Sequence, residues 1–300
     1  MSPLTGTVEL DAGRRAAYEV IGDGEPLLYF QGGPGLSAVP LREDARLLTD
    51  RFAVHLIEPH GSGGSTAPAD PSHYDHLGHA RFYDEVRRAL GLDRATVMGL
   101  SFGGTVALSY AALFPDVTVR CISVAGRATG EEIAGEESAE EMERLLSRHA
   151  HAPWYPSARR VWDEWTERAL AAEDAAEIDA MMGEVLPLYM AHPERPLVQA
   201  AMERWRAEGR SDLAATKAWE GGLWQTLDVR QLLPRVGCPT LVLMGALDMI
   251  CGPAQGRVIA EGLPHADAVT IPDCGHFIPV EAPQEFRDAI LTFCDVAAPR

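Results

Sequence analysis

A serine framed by glycines, Gly99-Leu100-Ser101-Phe102-Gly103-Gly104, stands between two apolar runs. Ala95 to Met98 is short and of strand type. Thr105 to Phe114 is apolar nearly all round, is stopped by Pro115, and reads as a buried helix. A strand that turns sharply into a helix holds the residue at the turn in a strained backbone conformation. Its side chain is pushed out at the carboxyl end of the sheet, over the unpaired N–H groups that open the helix. A serine hydroxyl so placed is a nucleophile only if a base removes its proton, and histidine does that near neutral pH. His276, in Gly275-His276-Phe277, follows the last apolar run of the chain. Asp248 closes Gly245-Ala246-Leu247-Asp248, directly after the run Pro239 to Met244. A carboxylate there can orient the imidazole and stabilise its charged form. Asp273 is a rival acid, but it lies three residues before His276 on one loop and is expected to shape the turn. The chain order is serine, aspartate, histidine. A second glycine-rich loop, Gln31-Gly32-Gly33-Pro34-Gly35, ends the run Leu27 to Phe30. The N–H groups of Gly33 and Phe102 are the expected donors to an oxyanion.

These residues need a sheet whose strand ends share one rim. Strand-type runs at 7–10, 15–21, 27–30, 52–57, 95–98, 119–124, 239–244 and 268–271 supply it. The first two frame a hairpin turn at Asp11 to Arg14. Helical patterns at 41–51, 79–90, 105–114, 255–261 and 284–296 alternate with the later strands. That rhythm predicts an α/β fold, a mostly parallel sheet of about eight strands flanked by helices. It breaks after Arg127. From Glu131 to about Trp224 the pattern is helical, with segments at 131–148, 161–170, 178–190, 197–207 and 213–224. The expectation is a core formed by residues 1–127 and 229–300, with a helical cap, 128–228, inserted in it.

Composition narrows the partners. A formal net charge of −18 argues against nucleic acid and anionic membrane, which such a surface repels. The N-terminus has no basic stretch followed by an apolar run, so no signal peptide is expected, and no segment suits a membrane span. Five scattered cysteines without C-x-x-C spacing point to free thiols in a reducing compartment, hence a cytoplasmic protein. A homodimer is compatible with the sequence. His73, His76 and His79 recur every three residues, but without carboxylate or cysteine company they read as a solvated face. No metal and no cofactor is expected. The acidic run Glu131 to Glu143 also reads as a solvated helix face. All six tryptophans, Trp154, Trp162, Trp165, Trp205, Trp219 and Trp224, fall in the helical block. They either pack its helices together or line a substrate pocket, with Trp154 and Trp219 among the candidates.

Taken together, the chain resembles an α/β-hydrolase with a helical cap. Gln31-Gly32-Gly33-Pro34-Gly35 is similar to the His-Gly-Gly-Pro-Gly loop of the proline iminopeptidase group. Glu58-Pro59-His60-Gly61-Ser62-Gly63-Gly64-Ser65 is similar to that group's Asp-Gln-Arg-Gly-x-Gly-x-Ser stretch. The nucleophile elbow Gly99-Leu100-Ser101-Phe102-Gly103-Gly104 and the Gly275-His276-Phe277 loop match as well. The resemblance implies a cofactor-free serine hydrolase, often one that releases an N-terminal proline. Gln31 stands where the group has histidine, and Glu58, Pro59 and His60 replace Asp, Gln and Arg. An aminopeptidase must bind a free amine, for which Glu58 and Glu220 are the candidate carboxylates, though a surface position is the default for both. The expected substrate is a small-molecule carboxylic ester or lactone, cleaved through an acyl-enzyme. Release of an N-terminal residue from a short peptide is the first alternative. A non-hydrolytic lyase, cyclase or ligand receptor is the second.

Overall fold

The computed structural model describes residues 4–296, with the backbone alone for 131–138. The chain runs β1 (Leu4–Glu9), β2 (Arg15–Ile21), β3 (Glu25–Phe30), α1 (Arg42–Arg46), β4 (Phe52–Ile57), α2 (His76–Ala89), β5 (Ala95–Leu100), α3 (Phe102–Leu113) and β6 (Thr118–Val124). Then come helices α4 (Glu131–Leu146), α5 (Tyr155–Asp163), α6 (Trp165–Ala171), α7 (Ala175–Val185), α8 (Pro196–Glu208) and α9 (Leu213–Ala218). It closes with β7 (Thr240–Gly245), α10 (Pro253–Gly262), β8 (Ala266–Ile271), α11 (Ile278–Glu281) and α12 (Pro283–Asp295).

The eight strands form one sheet in the order β1-β2-β4-β3-β5-β6-β7-β8. The pairs β1–β2 and β2–β4 are antiparallel, and the other five are parallel. Parallel strands need crossovers, and the helices that provide them cover both faces. This is why β5 and β7 are buried along their whole length and are written as unbroken apolar runs. Leu28, Val97, Val106, Tyr110 and Val242 belong to the core on one face, whereas Tyr29, Met98, Leu243, Phe286 and Ile290 belong to the core on the other. Neighbouring residues of a strand divide between the two cores because side chains alternate across a sheet. Helices α4 to α7 have a cluster of their own around Leu145, Val161, Ile178, Val185 and Leu188, which reaches Met249 in the loop after β7, while Val198 and Met202 of α8 join a core of the sheet.

Several element boundaries differ from those expected. The helix expected over 41–51 is one turn of 3-10 helix followed by the five residues of α1, because the chain must turn at Thr49–Arg51 into β4. The helix expected over 161–170 is split between α5 and α6, which meet at Glu164. The segment expected as one helix to Trp224 leaves α9 through a π turn over Trp219–Leu223, where Gly222 has φ 144°. The expected helical periodicity persists through these breaks, so sequence pattern alone runs the pieces together. Of the acidic face expected at 131–143, the side chains of 131–138 lie outside the described residues, as do Met1–Pro3 of the N-terminal reading.

Candidate active site

Ser101 is the residue between β5 and α3, and its backbone sits at φ 59°, ψ −125°. For a non-glycine residue this is a strained conformation that surrounding structure must enforce. The enforcement is steric. A Cβ on Gly99 would lie 2.0 Å from the Gly103 carbonyl oxygen, and one on Gly103 would lie 2.2 Å from that of Phe30. Only glycine lets strand, turn and helix approach so closely. The Ser101 N–H is tied to the Val124 carbonyl (2.9 Å) and its own carbonyl accepts from Gly104 (2.8 Å).

Asp248 and His276 come from loops beyond β7 and β8 and are 0% and 1% exposed. The His276 Nδ1–H donates to Asp248 Oδ2 at 2.9 Å. A carboxylate only accepts, so Nδ1 carries the proton and Nε2 is left with its lone pair free. Asp248 Oδ1 accepts from the N–H groups of Ile250 (2.8 Å) and Cys251 (3.1 Å), so its carboxylate is held at both oxygens. The imidazole stands edge-on to Tyr189, with centroids 5.4 Å apart. Cys251 joins the group. It lines the same cavity as Ser101. Ligating atoms of Asp248, Cys251 and His276 all lie within 4.8 Å of one another. Burial, then the Asp248 carboxylate, push the Cys251 thiol well above its ordinary range. The thiol is therefore neutral, and Cys251 is no competing nucleophile. In the sequence it is only one of five scattered thiols. The signal available was its place three residues after Asp248, within one turn.

The loop after β3 lies against the elbow. A Cβ on Gly32 would come 2.7 Å from the Leu100 carbonyl oxygen. Gln31 is buried and bonds at both ends of its amide: Oε1 accepts the Gly32 N–H (2.6 Å) and Nε2 donates to the Ser37 carbonyl (2.6 Å). Gly33 turns at φ 55°. Among the described residues, neither the Gly33 N–H nor the Phe102 N–H donates to a protein acceptor. Both residues line the same cavity as Ser101 and His276.

That cavity has a volume of about 480 Å³. Its walls include Trp162, Trp165, Trp205, Trp219 and Trp224 from the helical insertion, together with Met142, Ile178 and Met182. Trp154 is not part of it: its ring packs on His149 at 5.2 Å, within the insertion's own core. Glu220 is a wall residue and is 9% exposed, not a surface glutamate. Its carboxylate accepts from Trp165 Nε1 (2.9 Å) and Thr166 Oγ1 (2.7 Å). Glu58 is neither on the open surface nor in the cavity. It accepts the Ala38 N–H (3.0 Å) and so braces the loop after β3. Asp273 faces away from the imidazole and bonds His192 (2.6 Å) and Arg195 (2.8 Å) of the insertion.

The expected solvated histidine face is corrected. His73 is exposed, but His76 and His79 are buried, His79 at 2% exposure. His76 Nδ1 bonds Ser109 Oγ (2.8 Å), and the His79 ring stands edge-on to Phe102 and His60. Both lie on the face of α2 that packs on α3, as a three-residue step along a helix allows.

A family model for the alpha/beta hydrolase fold matches residues 25–283. A pimeloyl-[acyl-carrier protein] methyl ester esterase of Chromobacterium violaceum is 28% identical over 93% of this chain and 98% of its own length. A probable proline iminopeptidase of Leptolyngbya boryana is 23% identical over 91% and 88%. Among solved structures, an alpha/beta fold family hydrolase from Bacillus anthracis superposes with a TM-score of 0.77 at 19% identity, covering 97% of this chain and 99% of that one. With the fold, the elbow and the family match in agreement, the chain belongs to the α/β-hydrolase family.

Proposed function

We propose that the protein is a serine hydrolase that cleaves a carboxylic ester or lactone of a small molecule through an acyl-enzyme. The observation that carries this reading is the strained Ser101 beside a buried His276–Asp248 pair, in a cavity walled by tryptophans of the segment between β6 and β7. In this mechanism Ser101 Oγ attacks the carbonyl carbon and its proton passes to His276 Nε2. Asp248 stabilises the imidazolium. The Gly33 and Phe102 N–H groups hold the oxyanion, each worth about 3 kcal/mol in the transition state. His276 returns the proton to the leaving alkoxide. Water, deprotonated by the same histidine, then releases the acid and restores Ser101. The tryptophan walls favour flat or bulky apolar groups on the substrate.

A second reading rests on Glu220. A buried carboxylate in the cavity wall, bonded only to neutral donors among the described residues, suits a free amine. That would favour an aminopeptidase acting on an N-terminal residue. Two experiments separate the possibilities. Ser101 is expected to take up a fluorophosphonate stoichiometrically, with loss of labelling in Ser101→Ala and slower labelling in His276→Ala. Tight ligand binding without labelling would point instead to a receptor on this scaffold. A panel of p-nitrophenyl esters, lactones and prolyl or alanyl arylamides then ranks substrates. Arylamides turning over far faster than every ester would put the aminopeptidase ahead of the esterase, and Glu220→Gln would then raise KM selectively for them.

A further inference from the structure

We propose that Glu281 is a positioning residue for His276, a carboxylate bridge that fixes the histidine loop against the helical insertion. Three observations converge. Glu281 Oε1 accepts the Gly275 N–H (3.0 Å) and Oε2 accepts the Ala191 N–H (2.6 Å). The His276 N–H donates to the Tyr189 carbonyl (2.8 Å), so adjacent residues of one loop grip neighbouring residues of the other segment. The contact has no slack. A Cβ on Gly275 would lie 2.6 Å from the Tyr189 carbonyl oxygen and 2.7 Å from both the Ala191 nitrogen and Glu281 Oε1.

The chemistry of the bridge calls for a carboxylate. Both partners are N–H donors, so the bridging group must accept at each end, and a carboxylate does so without a competing donor. Glutamine keeps one acceptor and turns an NH2 group toward the other N–H. Alanine leaves both backbone donors without their carboxylate acceptor, in a part-buried place. Asp273, on the same loop, makes an outer tie to His192 and Arg195, but its side chain is 59% exposed and holds the rim, not the backbone at 275–276. Asp248 sets the imidazole's rotation, and Glu281 sets where the backbone that carries it stands. A shift of about 1 Å in a reacting group can cost about 10²-fold in rate.

This inference rests on the serine-hydrolase reading, and the test keeps the two apart. Glu281→Ala, Glu281→Gln and, as an outer-tie control, Asp273→Asn are compared with the unaltered chain. The comparison covers thermal melting, kcat and KM for the best ester, and the low-field proton resonance of His276 Nδ1–H. Expected for Glu281→Ala is a loss of about 10²-fold in kcat, with KM changed less than about threefold. The low-field resonance should broaden by exchange. Glu281→Gln should fall between, and Asp273→Asn should stay within about twofold in kcat. A folded Glu281→Ala protein with kcat within twofold and a sharp resonance would overturn the proposal. If the alanine variant does not fold, Glu281→Gln carries the same two criteria. If the unaltered protein neither labels at Ser101 nor turns over any ester, the hydrolase reading fails. The resonance in Glu281→Gln then still decides the positioning claim.

Discussion

Gln31 shows what one side chain can do that its spacing in the sequence conceals. It stands where the proline iminopeptidase group has histidine, yet its amide bonds both ends of its own loop, at Gly32 and Ser37. The Gly32 N–H is occupied by Gln31, whereas the next N–H, that of Gly33, has no protein acceptor among the described residues. Gln31→Ala should therefore loosen the proposed oxyanion donor, Gly33, without touching Ser101, the proposed nucleophile. Expected is a drop of about 10- to 10²-fold in kcat with little change in KM, measured on the best ester substrate. Gln31→Glu loses the Nε2 donor to Ser37 and should show a similar loss. By contrast, Ser101→Ala should remove about 10⁴- to 10⁶-fold of turnover while the protein melts as before. Ser101 and His276 stand out as candidates at this scale because glycines flank the one on both sides and the other on one. Glu220 was legible only as a carboxylate, since its burial depends on Trp165 and Thr166, more than fifty residues earlier in the chain.

Among the elements, β5-turn-α3 leaves little room for change. Gly99 and Gly103 answer to backbone, not to side chains that could give way. Gly103→Ala drives a methyl group to 2.2 Å from the Phe30 carbonyl oxygen, so β3 and α3 must separate. A destabilisation of more than about 4 kcal/mol is expected, read as loss of soluble protein or of the cooperative melt. A folded Gly103→Ala protein with a melting temperature near that of the unaltered chain would show that the elbow yields more easily than its contacts imply. Alternating apolar runs and helical periods made these core elements readable. The insertion was readable as helical but not in its joints, because α5 and α6, or α9 and the π turn after it, share one continuous periodicity. Where they break is set by what they pack on.

At the scale of the molecule, burial has trapped ionisable groups whose effects on stability oppose one another. Burial lowers His60 to about 4, so the folded protein keeps it neutral while the unfolded chain protonates below its ordinary 6.5. Its contribution is complete above about pH 6.5 and is lost as pH falls toward 4. Burial raises Asp44 to about 7 from 3.8, beside Tyr29, so the fold keeps this carboxyl protonated where the unfolded chain has released its proton. That contribution is complete below about pH 4 and is lost as pH rises through 7. Each group can change the slope of stability against pH by up to about 1.4 kcal/mol per unit. His60→Asn should therefore flatten the loss between pH 6.5 and 4, and Asp44→Asn should flatten the loss between pH 4 and 7. Urea melts at pH 4.5, 5.5 and 6.5 check both signs, and unchanged slopes would refute them. At this scale no helix among the described residues is long and apolar enough to cross a membrane.

By itself the sequence determined the sheet, the elbow and the order serine, aspartate, histidine, because each is encoded by neighbours in the chain. Apolar alternation selects strands, and glycine selects the turns that other residues cannot make. The tertiary structure alone decided which tryptophans face the cavity and that His76 and His79 are buried. It also decided that Glu220 is a wall, that Cys251 sits beside Ser101, and that Glu281 grips the histidine loop. Those facts depend on segments far apart in sequence meeting in space, and no local pattern records which distant surface a side chain will cover.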